Sequence, residues 1–344
     1  MRRWIWNIFC FFLWLTQALR LVRYFNRKNA IILCYGGITE SKKKKYLWNS
    51  DGRYVTSKRF RRQVRYLEKH YVIKYASEIA SSIEKFGIPP GKSVAITFDY
   101  GYKNTYLNAL KPLTEYSIPF GFSIVTSFLQ KSELIWYDRL ELTISKSRSR
   151  VIKAKVGGYY IDENISTRRR KAKTYQILKI IGTTLDFQKR EMFLKEIENQ
   201  ANYSVKEDHD IPDDCQNMNV SQMIEIANCG AELGSNSSNL VDLRNIPRQN
   251  LLDEIYESRN TLSRLSGKDC SFFILPLWYS GKKDETLQEI IEKSGYSFAL
   301  TNVPSLIKNN TNPFLLPRIT IYGYDNFFTF AAKLSGIGIK SNNI

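Results

Sequence analysis

From Ala30 onward, short apolar runs alternate with segments whose apolar residues recur at helical spacing. Ala30 to Tyr35 (AIILCY), closed by Gly36-Gly37, predicts a buried strand. Val94 to Phe98 (VAITF), Phe120 to Val125 (FGFSIV), Ala231 to Gly234, Ser271 to Leu275, Ser297 to Thr301 and Leu315 to Ile321 predict six more. Between them the spacing predicts helices. Lys58 to His70 is basic and amphipathic through Phe60, Val64 and Leu67, and Arg248 to Leu265 carries Leu251, Leu252, Ile255, Leu262 and Leu265 on one side. Thr105 to Tyr116, Val220 to Cys229, Asp284 to Lys293 and Tyr324 to Leu334 complete the set. This alternation predicts an α/β fold with a mostly parallel sheet covered by helices, open or closed into a barrel. Residues from about 143 to 217 break the rhythm with a basic run, a helical stretch and the acidic loop Glu207 to Asp214, and are expected to form an insertion or cap.

The first 29 residues follow another pattern. Trp4 to Val22 (WIWNIFCFFLWLTQALRLV) is apolar on every helical face between Ile8 and Leu15. A 16-residue apolar helix reaches only about 24 Å, short of the roughly 30 Å hydrocarbon core. Its Trp and Phe content and flanking arginines predict a membrane-associating segment, either spanning the bilayer or lying on it. Arg2-Arg3, Ile5 to Leu15 and Thr16-Gln17-Ala18 also satisfy the pattern of a cleaved signal, which would export the protein. Arg20, Arg23, Arg27 and Lys28 directly downstream oppose translocation and favour a cytoplasmic main body.

Charge sharpens this picture. Of 344 residues with a net charge of +18, residues 1–93 hold 20 Lys/Arg against 5 Asp/Glu, and residues 146–173 hold 10 against 2. The remainder is close to neutral, so the molecule is expected to have one basic side, with Lys42 to Lys45 and Arg59, Arg61 and Arg62 toward an anionic membrane surface. The composition, 43% hydrophobic with 10 Pro and 18 Gly, excludes a disordered tail and a collagen. Cys10, Cys34, Cys215, Cys229 and Cys270 form no C-x-x-C pair, which leaves no signal for a zinc ribbon or a redox dithiol.

The chemistry of such folds sits at the carboxyl ends of the strands. Those ends carry TFDYGY (97–102), GSNSSNLVDL (234–243) and FILPLW (273–278). With ILCYGGI, LIWYDRLE and PFLLPRITIYG in the same order, the chain resembles the polysaccharide deacetylases with a NodB-homology domain, from about residue 30 to 335, with residues 336–344 as a tail. The resemblance implies a distorted (β/α) barrel, a saccharide or lipid-linked saccharide partner, and metal-dependent hydrolysis of a non-peptide carbon–nitrogen bond. In that family a TFDDG motif supplies a base and a metal ligand, and an H-S/T-x-x-H motif two more ligands. Asp99 matches the base, but Tyr100, Asn236 and Leu240 stand at the ligand positions, and the R-x-P-Y-type motif keeps only Pro276.

A phenol, a carboxamide and an aliphatic chain are a poor set for a divalent cation such as zinc, so no cofactor is expected. The two histidines do not replace the lost ligands: His70 precedes the first motif and His209 lies in the acidic loop, which lacks calcium-loop spacing and reads as a solvated face. Asn236, Asn239 and Asp242 offer hydrogen bonds, and Tyr100, Tyr102, Trp136, Tyr137 and Trp278 offer flat faces, the two ingredients of a sugar site. Asp99, Tyr100, Asn236, Asn239, Asp242 and Trp278 are therefore the candidate residues. Three readings follow in order: a deacetylase-like protein of envelope-polysaccharide metabolism that has lost hydrolysis and engages glycan; an active N-deacetylase with a rearranged site; and a binder of nucleic acid or another anionic polymer through the basic stretches. No RNP-like or helix-turn-helix motif supports the last.

Overall fold

A run such as IILCY has no polar face to turn to water, so it must be covered on both sides. The computed structural model, which describes residues 3–40, 47, 49–130, 134–156, 158–205, 211–240, 243, 246–275 and 285–339, places it inside a parallel sheet with a strand on either side. In chain order the elements are α1 (Arg3–Leu15), α2 (Ala18–Phe25), β1 (Ile31–Tyr35), β2 (Gly37–Thr39), β3 (Tyr54–Thr56), α3 (Ser57–His70), β4 (Val72–Ile73), α4 (Ala76–Phe86), β5 (Ser93–Phe98), α5 (Lys103–Glu115), β6 (Gly121–Ile124) and α6 (Thr126–Gln130). They continue with α7 (Trp136–Lys146), β7 (Val151–Val156), β8 (Tyr159–Asn164), α8 (Arg168–Thr184), α9 (Phe187–Ala201), α10 (Val220–Asn228), β9 (Glu232–Ser235), α11 (Arg248–Ser266), β10 (Cys270–Ile274), α12 (Glu285–Lys293), β11 (Phe298–Leu300), β12 (Ile319–Ile321) and α13 (Phe327–Leu334).

The main sheet runs β11-β10-β9-β6-β5-β1-β12, with β4 beside β5, and every pairing is parallel. Its two edges meet again where Leu300 bridges Leu316, with Thr301 N–H donating to Leu316 at 2.8 Å. The sheet is thus curled into the distorted barrel that the motifs implied. The register Ile31↔Val94 to Tyr35↔Phe98 brings the carboxyl ends of β1 and β5 level, so Asp99 emerges beside Tyr35. Gly234 faces the Phe272 ring, where any side chain would collide with it.

All seven strands foreseen are present, with one shortened. Leu315 to Ile321 begins as a 3-10 turn at Pro313–Leu315 and pairs with β1 only from Leu33↔Ile319. Pro317 carries no N–H to donate to a ladder, which accounts for the late start. The helix α4 was not anticipated; its buried face is Ala76, Ile79, Ala80 and Ile83, half of it too small to make a strong periodic signal.

The irregular block is built from α7, the antiparallel hairpin β7–β8, α8 and α9 around a second core containing Leu140, Ile152, Ile161, Tyr175, Leu178 and Phe193. Its first helix starts at Trp136, ahead of the expected 143, because the apolar period of α7 runs through that point. At the other end, α1 and α2 meet at 82° across Thr16-Gln17. They are docked on the barrel: Cys10 and Leu19 are buried against Ala331 and Ala332 of α13, Phe11 meets Phe328 edge-on with ring centroids 5.1 Å apart, and Thr329 Oγ1 donates to Asn7 Oδ1 at 2.9 Å. Trp4, Ile8, Phe9, Phe12, Trp14 and Leu15 remain exposed. Among the described residues no single helix is long and apolar enough to cross a membrane; the bent pair passes that test only together.

Candidate functional site

The carboxyl end of β5 delivers Asp99, whose N–H donates to Tyr35 O at 3.0 Å. Its carboxylate is 1% exposed and fully engaged. Arg318 grips it with both nitrogens, Nη1 to Oδ1 at 2.7 Å and Nη2 to Oδ2 at 3.0 Å. Ser123 Oγ donates to Oδ1 at 3.1 Å and Cys34 Sγ to Oδ2 at 3.2 Å. Arg318, itself wholly buried, also donates through Nε to Thr301 O at 3.1 Å and through Nη2 to Asn302 Oδ1 at 2.7 Å. A charge taken out of water must be paired and hydrogen-bonded, and this pair is both. Burial works against the Arg318 charge, yet Asp99 outweighs it and holds the guanidinium above its ordinary range. Burial likewise pushes the Cys34 thiol up, so it stays an S–H donor.

Arg318 is the functional-site residue that motif reasoning passed over. Its signal was available in PRITIYG, where a lone arginine enters an otherwise apolar strand. Such a side chain needs a buried acid.

After Asp99 the chain turns sharply through Tyr100 and Gly101, at φ +76° and +81°. Glycine adopts that region freely; a tyrosine there is uncommon. Ser237 and Leu240, on the loop after β9, share the left-handed conformation at +71° and +50°. Tyr100 N–H points at Asn236 Oδ1 at 3.4 Å, and its ring packs edge-on against Tyr102 and Tyr137, with centroids 6.0 and 5.8 Å away. Burial raises the Tyr100 phenol well above its ordinary value. Asn236 is nearly buried and is anchored by its N–H to Ile124 O at 3.0 Å. Leu240 packs on the second core, and its carbonyl accepts from Arg190 Nη2 at 3.2 Å. Asn239 is turned to α11, where its N–H and Nδ2 donate to Glu254 at 2.6 and 3.0 Å.

Asp242, Pro276, Leu277, Trp278 and His209 lie outside the described residues. The structure brings together Asp99, Tyr100 and Asn236 and leaves Asn239 held to one side. It also corrects the inventory of flat faces: Tyr102, Trp136 and Tyr137 are buried in the second core, which removes them as open sugar platforms. Of the acidic loop, Asp213 pairs with Lys103 at 3.1 Å and Asp214 accepts from Thr39 Oγ1 at 2.8 Å, so this end is tied to the barrel rather than free in solvent.

The donor set does not fit the divalent ion that the fold family implies. Both oxygens of Asp99 are taken by Arg318, the Asn236 carbonyl oxygen faces an amide, Tyr100 is a high-pKa phenol packed among rings, and the Leu240 side chain has no lone pair. Among the described residues, no three of His, Cys, Asp and Glu converge on a point where they could ligate one.

Below the aromatic layer lies a second buried charge cluster. Arg53 bonds Asp138 at 2.5 Å, Glu141 at 2.8 Å and Asp51 at 2.9 Å, and Lys179 bonds Asp51 at 2.8 Å. Tyr102 adds a hydrogen bond to Asp138 at 2.5 Å. Three carboxylates thus share two cations. Burial raises Asp51, but Arg53 and Lys179 overcome it and hold that acid below the usual range. Glu141 and Asp138 carry the excess: burial, only partly offset by Arg53, raises both, and pushes Glu141 up to about 7.

Comparison with known proteins agrees with this architecture. No protein-family model and no curated protein matches the chain. Among solved structures it is similar to the Streptococcus pyogenes deacetylase PplD in complex with acetate, at 14% identity over 89% of this chain and 98% of that one, with a TM-score of 0.56. A de-N-acetylase from Aggregatibacter actinomycetemcomitans gives 13%, 89%, 99% and 0.54. A polysaccharide deacetylase from Bacillus cereus gives 16%, 89%, 69% and 0.50. The chain has the fold of the polysaccharide deacetylases, and the resemblance drawn from its motifs holds at that level.

Proposed function

We propose that this protein is a polysaccharide-deacetylase-fold protein that binds saccharide, free or lipid-linked, without metal-dependent N-deacetylation, and works beside an anionic membrane surface on its cytoplasmic side. The observation that carries this reading is the clamp on Asp99. A general base has to release a lone pair to water, and here both oxygens face a bidentate guanidinium. Saccharide binding is supported by Tyr100 and Asn236 beside that carboxylate, with Asp242 and Trp278 as further candidates from the sequence, and by the polysaccharide deacetylase among the structural neighbours. Association with a membrane is supported by the exposed aromatic side chains of α1.

Purified protein should contain no stoichiometric zinc by elemental analysis and release no acetate from N-acetylhexosamine oligomers above an Asp99→Asn control. Calorimetry with the same oligomers should give saturable binding that Asn236→Ala weakens. One zinc per chain together with acetate release abolished by Asp99→Ala would instead establish the active hydrolase.

A further inference from the structure

At the amino ends of the barrel strands, opposite Asp99, the chain builds a second concavity that the reading above does not use. A cavity of about 230 Å³ lies between α2, the segment leading into β1, the end of α3 and Lys92 before β5. Arg20, Arg23, Arg27, Lys92, His70 and Tyr71 line it. None of the four cations has a carboxylate within ion-pair distance among the described residues; Arg20 bonds Gln17, Arg23 bonds the Tyr66 hydroxyl, and Arg27 bonds the Tyr24 carbonyl. The imidazole of His70 is pushed below its ordinary value by burial and then by Arg23, Lys69 and Arg20, which is the mark of a positive potential. Four unneutralised cations around one hollow repel one another, an arrangement that an anion would relieve.

What surrounds the hollow selects the anion. Leu21, Tyr24 and Phe25 on α2 are 61%, 57% and 74% exposed, and the loop that lies against Arg27 at Gly91 carries Ile88 at 53%. Of these only Tyr24 lines the hollow itself, while Leu21 and Phe25 are exposed on other faces of the same short helix; apolar side chains exposed beside a basic pocket match a bilayer surface, where acyl chains and headgroup phosphates are offered together. A soluble anion would need no exposed apolar side chains beside its pocket.

We propose that this pocket takes the phosphate of an anionic phospholipid while Leu21, Tyr24, Phe25 and Ile88 enter the headgroup layer. The proposal rests on the membrane part of the functional reading and is independent of its saccharide part. It assigns to the foot of the barrel a lipid site, leaving the mouth with Asp99 at the other end.

The test is flotation of the full chain with vesicles of phosphatidylcholine alone or with a minority of phosphatidylglycerol. Binding should require the anionic lipid, and Arg20→Gln/Arg23→Gln/Arg27→Gln should lower the partition coefficient by about a hundredfold. Arg168→Gln/Arg169→Gln/Arg170→Gln, which removes equal charge from the exposed start of α8, should change it by less than about threefold. Phe25→Ser, at an exposed site with no fold to disturb, should weaken binding several-fold and secures the result should the triple variant fold poorly. Equal loss in both triple variants, or an unchanged partition in the pocket and Phe25 variants, overturns the pocket while membrane association stands. No flotation with either vesicle overturns both. Saturable binding of inorganic phosphate that the pocket variant abolishes, without flotation, overturns the lipid in favour of a soluble ligand.

Discussion

At the scale of single residues, the two most informative side chains are Arg318 and Glu141. Arg318 and Asp99 are mutually dependent: removing one leaves a bare charge in the core, which typically costs about 3–5 kcal/mol, whereas replacing both by apolar groups is far milder. Arg318→Met should therefore lower the urea midpoint sharply, and Asp99→Leu/Arg318→Met should recover most of the loss. A single variant as stable as the parent would mean that the ion pair is not formed. Glu141 is protonated more readily in the fold than its ordinary value of 4.5 allows. The folded state consequently binds the extra proton, and stability falls as pH rises from about 4.5 to about 7. Glu141→Gln removes that proton exchange. Melting temperatures measured across this window should decline less with pH in the variant than in the parent.

At the scale of elements, the strands were legible because parallel strands covered on both faces leave uninterrupted apolar runs, as IILCY and VAITF do. Helices with large apolar residues on one side, such as α3 and α11, were equally plain. The small-residue face of α4 was not, nor was the β7–β8 hairpin, whose Val151–Val156 strand alternates apolar residues with lysines and resembles a basic solvated run until Tyr159–Asn164 is seen to pair with it. Site residues divide in the same way. Asp99 and the substituted ligand positions could be found from local motifs, but Arg318 is 219 positions from its partner, a distance that no window along the chain connects. The burial of Tyr102, Trp136 and Tyr137 depended on where the inserted block would pack, which its own pattern does not state. Close packing between elements gives a further test. Gly234→Ala drives a methyl into the Phe272 ring, which is itself stacked on Phe298, and should destabilise the barrel by about 1–3 kcal/mol in equilibrium unfolding.

At the scale of the whole molecule, the barrel has two differently furnished ends. Its carboxyl end holds a paired acid under aromatic cover from the inserted block, and its amino end holds four cations with no carboxylate partner among the described residues. Of the N-terminal helices, α2 frames the amino end, whereas α1 is bonded to the side of the barrel through α13. Phe328→Ser should loosen only this attachment. Hydrogen exchange of residues 4–15 should quicken while the amides of β1 and β5 keep their protection. Uniform loss of protection would mean that the helices unfold with the barrel as one cooperative unit.

That attachment joins residues 322 positions apart, Asn7 to Thr329. During synthesis α1 therefore emerges hundreds of residues ahead of the helix it docks on, and its apolar side chains have to stay clear of aggregation until α13 has been made.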